Sequence, residues 1–396
     1  MCIVKLNGNR IERWDWMYKE LEQLSLQSQY RELQECSPSQ EPGWIIRSGK
    51  HLLNLSSNHY LGLDQQLSIE ASPHRIGSTA SRLVVGNDPI FTKLETDFAA
   101  FKHTEACLMI SNGYMANVGT IQAICGRDDI VFSDKLNHAS ITDGIVLSRA
   151  EHVRYRHRDM NHLEQLLQKS DPKRRKLIVT DAVFSMDGTL APLRQIAELK
   201  ERYNAYLMVD EAHSGGVYGD KGEGLVHALG LTERVDIHMG TFSKAYGCYG
   251  AYIAGDTVLK SYLINRIRGF IFTTALPPNV VSAVYHNWQT AMKEGWRRND
   301  LLERASWFRE KLHTAGFNTC GSECQIIPII IGDNATALKF SARLGEEGIA
   351  AVAIRPPTVP EGTARIRFSL MATHRMEDLQ QAIAIITRLG QEQGII

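Results

Sequence analysis

Short apolar segments alternate with helical segments from about residue 90 to residue 255, and this alternation is the strongest constraint on the fold. The apolar segments lie at residues 106–110, 130–133, 177–180, 206–209 and 252–254. Runs of about four to eight apolar residues separated by helices indicate buried strands of a largely parallel sheet. Because ligands bind beyond the carboxyl ends of such strands, the polar residues that follow them are candidates for a shared site.

The remaining segments predict the outline of the chain. Residues 11–36 carry apolar residues at roughly helical spacing, residues 51–55 resemble a short strand, and residues 288–315 form a charge-rich amphipathic pattern. Near the C-terminus we predict strands at 325–331 and 365–369 and a helix at 376–389. The predicted α/β protein has three parts: an N-terminal helix and arm (1–60), a large domain with a mostly parallel central sheet (61–290) and a smaller C-terminal α+β domain (291–396).

Composition and charge exclude several classes of protein. Lys plus Arg and Asp plus Glu number 44 each, so no net charge attracts nucleic acid or an acidic membrane surface. The seven cysteines are scattered without a C-x-x-C pair, which argues against a disulfide framework or a cysteine metal site. No stretch of about 18 apolar residues could span a membrane, and the charged first 16 residues do not resemble a signal peptide. We expect a cytoplasmic protein with no bound metal.

Two motifs point to one cofactor. Lys244 lies between small and hydroxyl residues in GTFSKAYG (240–247), where its amine has room to approach a carbonyl group. A lysine amine forms Schiff bases with pyridoxal 5′-phosphate (PLP). Asp210 follows the apolar run 206–209 and places a carboxylate to hold a pyridine nitrogen protonated, as PLP chemistry requires. The two residues are 34 positions apart (244 − 210), enough for a helix and a second strand between them.

Polar residues at other strand ends could complete the site. They are Gly113, Tyr114, His138, Ser185, His213 and Thr241. Taken singly, each is explained by an ordinary turn, a helix cap or a structural ion pair. Polar groups at five successive strand ends of one sheet favour a shared cofactor site instead.

The chain resembles the α-oxoamine synthase family of fold-type-I PLP enzymes from about residue 20 to its end. The resemblance rests on SSNHYLGL (56–63), SNGYMANVG (111–119), DKLNHASITDG (134–144), TDAVFSMDGTLAPL (180–193), VDEAHSGGVYG (209–219), GTFSKAYG (240–247), FIFTTALPP (270–278) and IRPPTVPEGTARIR (354–367). The last segment is similar to the biotin-pathway branch of the family. The chain departs from the family in a shorter segment at 63–77 and a glycine-poor segment at 247–250.

The resemblance implies roles for the candidate cofactor residues. Lys244 would form the Schiff base and later move a proton at the substrate's α-carbon. Asp210 would pair with the pyridine nitrogen, and His138 would stack on the ring and polarise the acyl carbonyl. Further contacts to the cofactor would come from Gly113, Tyr114, Ser185, His213, Thr241 and, reaching across from a second subunit, Thr274. A homodimer is therefore the expected unit.

The resemblance also implies substrate contacts and a reaction. Asn58 and Arg367 would meet a substrate carboxylate, Thr358 would lie in a substrate-facing loop, and Arg31 matches an N-terminal substrate arginine. The implied reaction is the decarboxylative condensation of L-alanine with a pimeloyl thioester, on coenzyme A or a carrier protein. Its products are an amino-oxo acid for biotin biosynthesis, CO2 and the free thiol. The alternative within the family uses glycine and acetyl-CoA.

Two alternatives outside this activity depend on other features. A PLP-free serine hydrolase would use Ala212-His-Ser-Gly-Gly216, which approximates a nucleophile elbow but lacks its first glycine. A non-catalytic scaffold subunit would have no need for Lys244. Both alternatives leave motifs unexplained, so the sequence favours a PLP enzyme.

Overall fold

The computed structural model describes residues 11–63 and 74–396. Its helices are α1 (Ile11–Leu26), α2 (Pro89–Phe101), α3 (Gly113–Ile124), α4 (Ala139–Ser148), α5 (Met160–Lys169), α6 (Leu193–Arg202), α7 (Leu225–Ala228), α8 (Thr257–Arg266), α9 (Arg268–Ile271), α10 (Pro278–Lys293), α11 (Trp296–Thr314), α12 (Asn334–Glu346) and α13 (Met376–Glu392). Its strands are β1 (Cys36–Pro38), β2 (Trp44–Arg47), β3 (Lys50–Asn54), β4 (Ala106–Ile110), β5 (Ile130–Asp134), β6 (Glu151–Tyr155), β7 (Lys176–Asp181), β8 (Tyr206–Asp210), β9 (Ile237–Thr241), β10 (Ala251–Gly255), β11 (Ile326–Gly332), β12 (Ile349–Ala350), β13 (Val352–Ile354) and β14 (Ala364–Ser369). None of these described helices is both long and apolar enough to cross a membrane.

A seven-stranded sheet forms the centre of the large domain. Its strand order is β4-β10-β9-β8-β7-β5-β6. β10 runs antiparallel to both of its neighbours, whereas β9, β8, β7, β5 and β6 pair in parallel. All five predicted apolar segments are strands of this sheet, which confirms the predicted α/β fold with a mostly parallel sheet. Two strands outside that prediction, β6 and β9, contain charged or polar residues that interrupt the apolar pattern.

Both faces of the sheet are covered, which explains why its strands are continuous apolar runs. Alternate side chains enter two separate cores: Ile178, Leu207 and Val209 lie in one, and Val179 and Met208 lie in the other. Burying a side chain of this size contributes about 1.5–3 kcal/mol. Apolar contacts on both faces therefore fix the sheet in place, and the polar residues at its strand ends can form a site.

Two smaller sheets lie outside the central one. β11, β14 and β13 form an antiparallel sheet in that order. The other sheet, β1-β2-β3-β12, joins the N-terminal segment to the C-terminal one, because β3 pairs in parallel with β12 through Leu53–Ile349 and Asn54–Ala350. The predicted C-terminal strands and helix are present as β11, β14 and α13. The domain boundaries at residues 60 and 290 remain a prediction.

Two predicted helices differ from the observed ones. The helix predicted over 11–36 ends at Leu26, and Ser28 then adopts a φ of 55°, a left-handed value that a right-handed helix cannot contain. The helix predicted over 288–315 is two helices, α10 and α11, interrupted before Trp296 by Gly295, a poor helix former. The predictions about a shortened segment at 63–77 and about the first 16 residues fall largely outside the described residues.

A buried ion pair holds the segment after β8 against the end of α2. Lys102 Nζ donates to Glu211 Oε2 at 2.6 Å, and both side chains are buried. Glu211 Oε1 accepts from the Val226 amide at 3.0 Å, and Lys102 also donates to the carbonyl oxygen of Glu223. Because Glu211 directly follows Asp210, this network fixes the backbone at the end of β8.

Replacing Lys102 by Met should destabilise the protein by about 3 kcal/mol or more, because the Glu211 carboxylate then stays buried without its cation. A fall in the thermal unfolding midpoint measures the effect. Lys19→Met removes an exposed ion pair with Asp15 (2.6 Å) and should leave the midpoint nearly unchanged. Equal midpoints for the two variants would show that the buried pair does not carry this stability.

Candidate active site

Polar residues converge at the carboxyl ends of five strands of the central sheet. Gly113 starts α3 after β4, His138 precedes α4 after β5, and Ser185 follows β7. Asp210 ends β8, and Thr241 ends β9. These sequence-predicted residues share the edge of the sheet at which a ligand site was expected.

The Asp210 carboxylate is buried, and each of its oxygens accepts a hydrogen bond. Asn117 Nδ2 donates to Oδ2 at 2.7 Å, and the Ala212 amide donates to Oδ1 at 2.8 Å. These two bonds fix the orientation of the carboxylate. A buried carboxylate also favours a cationic or protonated partner. A protonated pyridine nitrogen meets that requirement.

A hydrogen-bonded chain runs from Lys244 through His213 to Tyr60. Lys244 Nζ lies 3.0 Å from His213 Nε2, and His213 Nδ1 lies 2.6 Å from the Tyr60 hydroxyl. Burial lowers the pKa of Lys244 to about 8, although the charges of Asp210 and Asp181 oppose the shift. Burial, aided by the Lys244 charge, holds the pKa of His213 well below its usual value. Near pH 7 the imidazole is therefore neutral, and part of the Lys244 population has a neutral, nucleophilic amine.

His138 presents a neutral imidazole to the same pocket. Its Nδ1 lies 2.7 Å from Ser140 Oγ, and its amide donates to Asp181 Oδ2 at 2.8 Å. Burial lowers the pKa of His138 against the opposing Asp210 charge, and burial together with the Asp210 charge raises the pKa of Asp181. A neutral imidazole held in this way can stack on a flat ring or polarise a carbonyl.

The start of α3 and Thr241 form a cradle for an anion. The amides of Gly113 and Tyr114 lie in the first helical turn, where a helix provides no carbonyl partner for them. A Cβ on Gly113 would lie 3.3 Å from Met239 Cε and 3.7 Å from Thr241 Cβ, so glycine keeps this approach open. Thr241 Oγ1 donates to the carbonyl of Gly250 at 2.8 Å, which fixes the hydroxyl. The cradle suits a phosphate group.

Arg367 on β14 forms one wall of the site. Its Nε donates to the carbonyl oxygen of Ser185 at 2.5 Å, and its Nη2 donates to Asn58 Oδ1 at 2.9 Å. A third bond, from Nη1 to Ser369 Oγ at 2.8 Å, completes the support. The structure thus brings together Asn58, Ser185 and Arg367, which are distant in the sequence.

A second pair of predicted substrate residues forms a direct hydrogen bond. Arg31 Nη2 donates to Thr358 Oγ1 at 3.1 Å. Arg355, three residues before Thr358, donates to the carbonyl oxygens of Ser28 and Tyr30. The hydrogen bonds of Arg31 and Arg355 therefore attach the N-terminal arm to the 354–367 segment.

Two predicted cofactor residues lie at the surface of the single chain. The Tyr114 ring is half exposed, and its hydroxyl donates to the Asp143 carboxylate. Thr274 is exposed between α9 and α10. The hydrogen-bonded cluster around Lys244 described above includes neither side chain, so the cofactor roles of both remain predictions.

Three residues of the site escaped the sequence analysis. They are Asn117, which holds Asp210; Tyr60, which holds His213; and Asp181, which bonds to the His138 amide. Asn117 and Asp181 left a usable signal, because each is a polar residue within or directly after an apolar run. Tyr60 lies in a polar loop, where nothing in the sequence distinguishes it.

The residues at this edge fit PLP group by group. Lys244 offers an amine of lowered pKa to the aldehyde, Asp210 a buried carboxylate to the pyridine nitrogen, and the start of α3 a cradle to the phosphate. The sequence profile of the aminotransferase class I and II family matches residues 50–386. The chain belongs to this family, the PLP-dependent enzymes of fold type I.

Full-length relatives narrow the assignment. Proteins from Bacillus cereus (51% identical over 385 residues, 96% of this chain and 97% of the relative) and Bacillus mycoides (50% over 387 residues, 96% and 98%) both match. Each is named "Putative 8-amino-7-oxononanoate synthase". Within its family the chain is therefore an α-oxoamine synthase, a PLP-dependent acyltransferase.

Solved structures share the fold. A serine palmitoyltransferase variant from S. paucimobilis, with a bound PLP–myriocin aldimine, matches with a TM-score of 0.91 at 28% identity over 98% of this chain and 99% of that chain. An 8-amino-7-oxononanoate synthase from Francisella tularensis matches with a TM-score of 0.75 at 28% identity, over 86% and 98%. The predicted fold type and the PLP cofactor are confirmed.

The two alternatives outside the family's chemistry are wrong. The serine of the proposed nucleophile elbow, Ser214, is completely buried, and its hydroxyl donates to Glu211 Oε1 at 3.2 Å. It cannot meet a substrate as a hydrolase nucleophile must. A scaffold subunit is excluded because the chain is an enzyme of this family with Lys244 in place.

The lowered pKa of Lys244 predicts how PLP attachment depends on pH. The neutral amine is the nucleophile, so the attachment rate should rise about tenfold per pH unit below pH 8 and level off above it. PLP is added to cofactor-free protein at a series of pH values below and above pH 8. The growth of the absorbance band of attached PLP then measures the rate. Lys244→Arg should develop no such band. A rate that keeps rising to about pH 10 would indicate an ordinary lysine.

Proposed function

We propose that the chain condenses L-alanine with a pimeloyl thioester and releases 8-amino-7-oxononanoate, CO2 and the free thiol, as a step of biotin biosynthesis. The observation that carries the proposal is the fixed guanidinium of Arg367, bonded to Asn58 and to the Ser185 carbonyl beside the Lys244 pocket. The relatives at 50–51% identity are named for the same product, 8-amino-7-oxononanoate.

The cofactor would occupy the edge of the central sheet. When bound, PLP supplies an aldehyde that links to amino groups and a ring that stabilises the electron pair left on a neighbouring carbon. Asp210 would keep the ring nitrogen protonated, and His138 would lie on the ring face. The remaining contacts would come from Gly113, Tyr114 and Thr241 at the phosphate, Ser185 and His213 at the phenolic oxygen, and Thr274 from a second subunit.

Lys244 would be the proton carrier of the reaction. Its pKa of about 8 lets Nζ accept a proton from the α-carbon of alanine and return one later near neutral pH. Between these transfers the α-carbon bonds to the thioester carbonyl carbon, and the C–S bond breaks as the thiolate leaves. The bond to the carboxylate then breaks and CO2 leaves. His138 would polarise the thioester carbonyl during the attack.

Arg367 would hold the carboxylate of alanine during these steps. Its bonds to Ser185, Ser369 and Asn58 fix the guanidinium plane, and a charged donor pair of this geometry binds a carboxylate directionally. A held carboxylate keeps the scissile bond in the orientation that its cleavage requires. This placement accounts for an arginine on β14 beside a lysine in the loop after β9.

The pair of arginines Arg31 and Arg355 favours a pimeloyl chain over an acetyl group. Burial and the neighbouring Arg31 charge lower the pKa of Arg355, so the two guanidinium groups lie close enough to repel each other. An anion between them would relieve this repulsion. The far end of a pimeloyl chain is a carboxylate, whereas an acetyl group carries no charge. We therefore place the distal carboxylate between Arg31 and Arg355.

An exposed apolar surface beside Thr274 supports a homodimer. Its members have 51–83% of their surface exposed, and they are Ile76, Leu83, Val84, Val85 and Phe272. The two segments that carry them are joined by backbone bonds, from the Ala275 amide to the Ala80 carbonyl at 3.0 Å and from the Asn279 amide to the Arg75 carbonyl at 3.2 Å. A contiguous apolar patch of this kind marks an interface between proteins. A second copy seated here would place Thr274 toward a neighbouring site.

The substrate proposal predicts that alanine with pimeloyl-CoA is turned over in preference to glycine with acetyl-CoA. Arg355→Gln should lower kcat/KM for pimeloyl-CoA by about 10- to 100-fold and leave the value for heptanoyl-CoA, which lacks the distal carboxylate, unchanged. Thiol release measures both values. Arg388→Gln, at an exposed ion pair with Glu347, is the control. Preference for glycine and acetyl-CoA in the native protein would reassign it to the glycine branch of the family.

The shared site predicts complementation between two inactive variants. Lys244→Ala and Thr274→Glu should each abolish activity alone, yet a mixture refolded together should regain about a quarter of native activity, because half of the dimers then carry one intact site of two. Thiol release from pimeloyl-CoA and alanine measures the recovery. A mixture that stays inactive while forming dimers would show that Thr274 serves its own chain's site. Lys244→Ala mixed with itself is the control.

A further inference from the structure

Outside the active site, His103, Glu223 and His227 form a cluster of potential metal ligands. Their ligand atoms all lie within 4.8 Å of one another. His227 Nε2 lies 3.9 Å from Glu223 Oε1, and the two imidazole rings stack with centroids 4.6 Å apart and planes inclined by 8°. His103 follows α2, whereas Glu223 and His227 lie just before and within α7. Two separate segments of the chain therefore supply the three ligands.

One member of the cluster, His103, lies near the opposite edge of the central sheet from Lys244. His103 lines a cavity of about 650 Å³ whose walls include Lys176 and Tyr206, the first residues of β7 and β8, and Ile237, the first of β9. The active-site residues follow the other ends of these strands. Through His103 the cluster adjoins a cavity that lies away from the PLP site.

Glu223 and His227 are each held so that one atom faces the other, whereas the exposed His103 ring, stacked parallel on His227, would turn so that a nitrogen faces the same ion. Glu223 is 4% exposed, and its Oε2 accepts from the Lys221 amide at 2.9 Å, which leaves Oε1 toward His227. The Nδ1 of His227 lies 3.5 Å from Thr232 Oγ1, so Nε2 is the nitrogen that faces the carboxylate. A hydrogen bond on the other ring nitrogen is the usual support of a metal-binding histidine. A buried carboxylate of this kind is stabilised by a bound cation.

We propose that His103, Glu223 and His227 bind one divalent transition-metal ion of the Zn²⁺, Co²⁺ or Ni²⁺ type. Two imidazoles and one carboxylate form a ligand set that these ions accept, with a water in the remaining position. The cavity beside His103 gives the ion and that water a route to solvent. The ion joins the end of α2 to the loop before α7, next to the buried Lys102–Glu211 pair. It stabilises the fold and takes no part in the reaction at Lys244.

Titration of the tag-free, PLP-loaded protein with Co²⁺ after EDTA treatment tests this site, by calorimetry and by the visible spectrum of the ion. We expect one Co²⁺ per chain and a raised thermal unfolding midpoint. His227→Gln and His103→Asn should each weaken binding by at least about 100-fold. Asn suits position 103 because His103 has a φ of 54°, a left-handed value that Asn tolerates, and because the side chain is exposed.

His313→Gln, at an exposed histidine on α11, is the matched control and should bind Co²⁺ like the native protein. Loss of binding in the two cluster variants but not in this control supports the site. Equal binding by all four proteins would mean an adventitious ion only and would overturn the proposal, as would absence of Co²⁺ binding by the native protein. The exposed His103 keeps the test decisive even if His227→Gln fails to fold.

Discussion

The buried carboxylate of Asp210 is the group on which the rest of the active site depends. Asn117 and the Ala212 amide hold it from two sides, and the Lys102–Glu211 pair fixes the backbone directly behind it. Its negative charge, in a pocket that also contains Asp181, opposes the fall in the pKa of Lys244 that burial causes. The amine thereby keeps a pKa near 8 and can exchange protons, and in our proposal the same carboxylate pairs with the cofactor's ring nitrogen.

The two halves of the site come from different parts of the fold. The central sheet supplies the cofactor half through Gly113, His138, Asp210 and Thr241, all at strand ends. The proposed substrate half comes from Asn58 in the N-terminal segment together with the C-terminal segment that carries Arg355, Thr358 and Arg367. Because separate segments of the chain supply the two halves, substrate contacts can change without disturbing the chemistry at Lys244. This division suits a family in which one reaction is applied to several pairs of substrates.

Much of this arrangement is predictable from the sequence, and the exceptions have physical causes. The strands at 106–110 and 177–180 are predictable because both of their faces are buried. Lys244 and Asp210 are predictable because small and hydroxyl residues surround the lysine and an apolar run precedes the aspartate. Tyr60 could not be assigned, since its role depends on a partner 153 positions away. The break at Gly295 shows the limit of periodicity, because charged residues on both sides continue the amphipathic pattern through it.

The pairing of β3 with β12 has a consequence for the order in which the enzyme is made. The ribosome completes all seven strands of the central sheet by Gly255, so the cofactor half can assemble while synthesis continues. Leu53, in contrast, must wait for Ile349, and Asn58 must wait for Arg367, 309 positions later. The nascent chain therefore passes through a stage in which the cofactor half is complete and the substrate wall is missing.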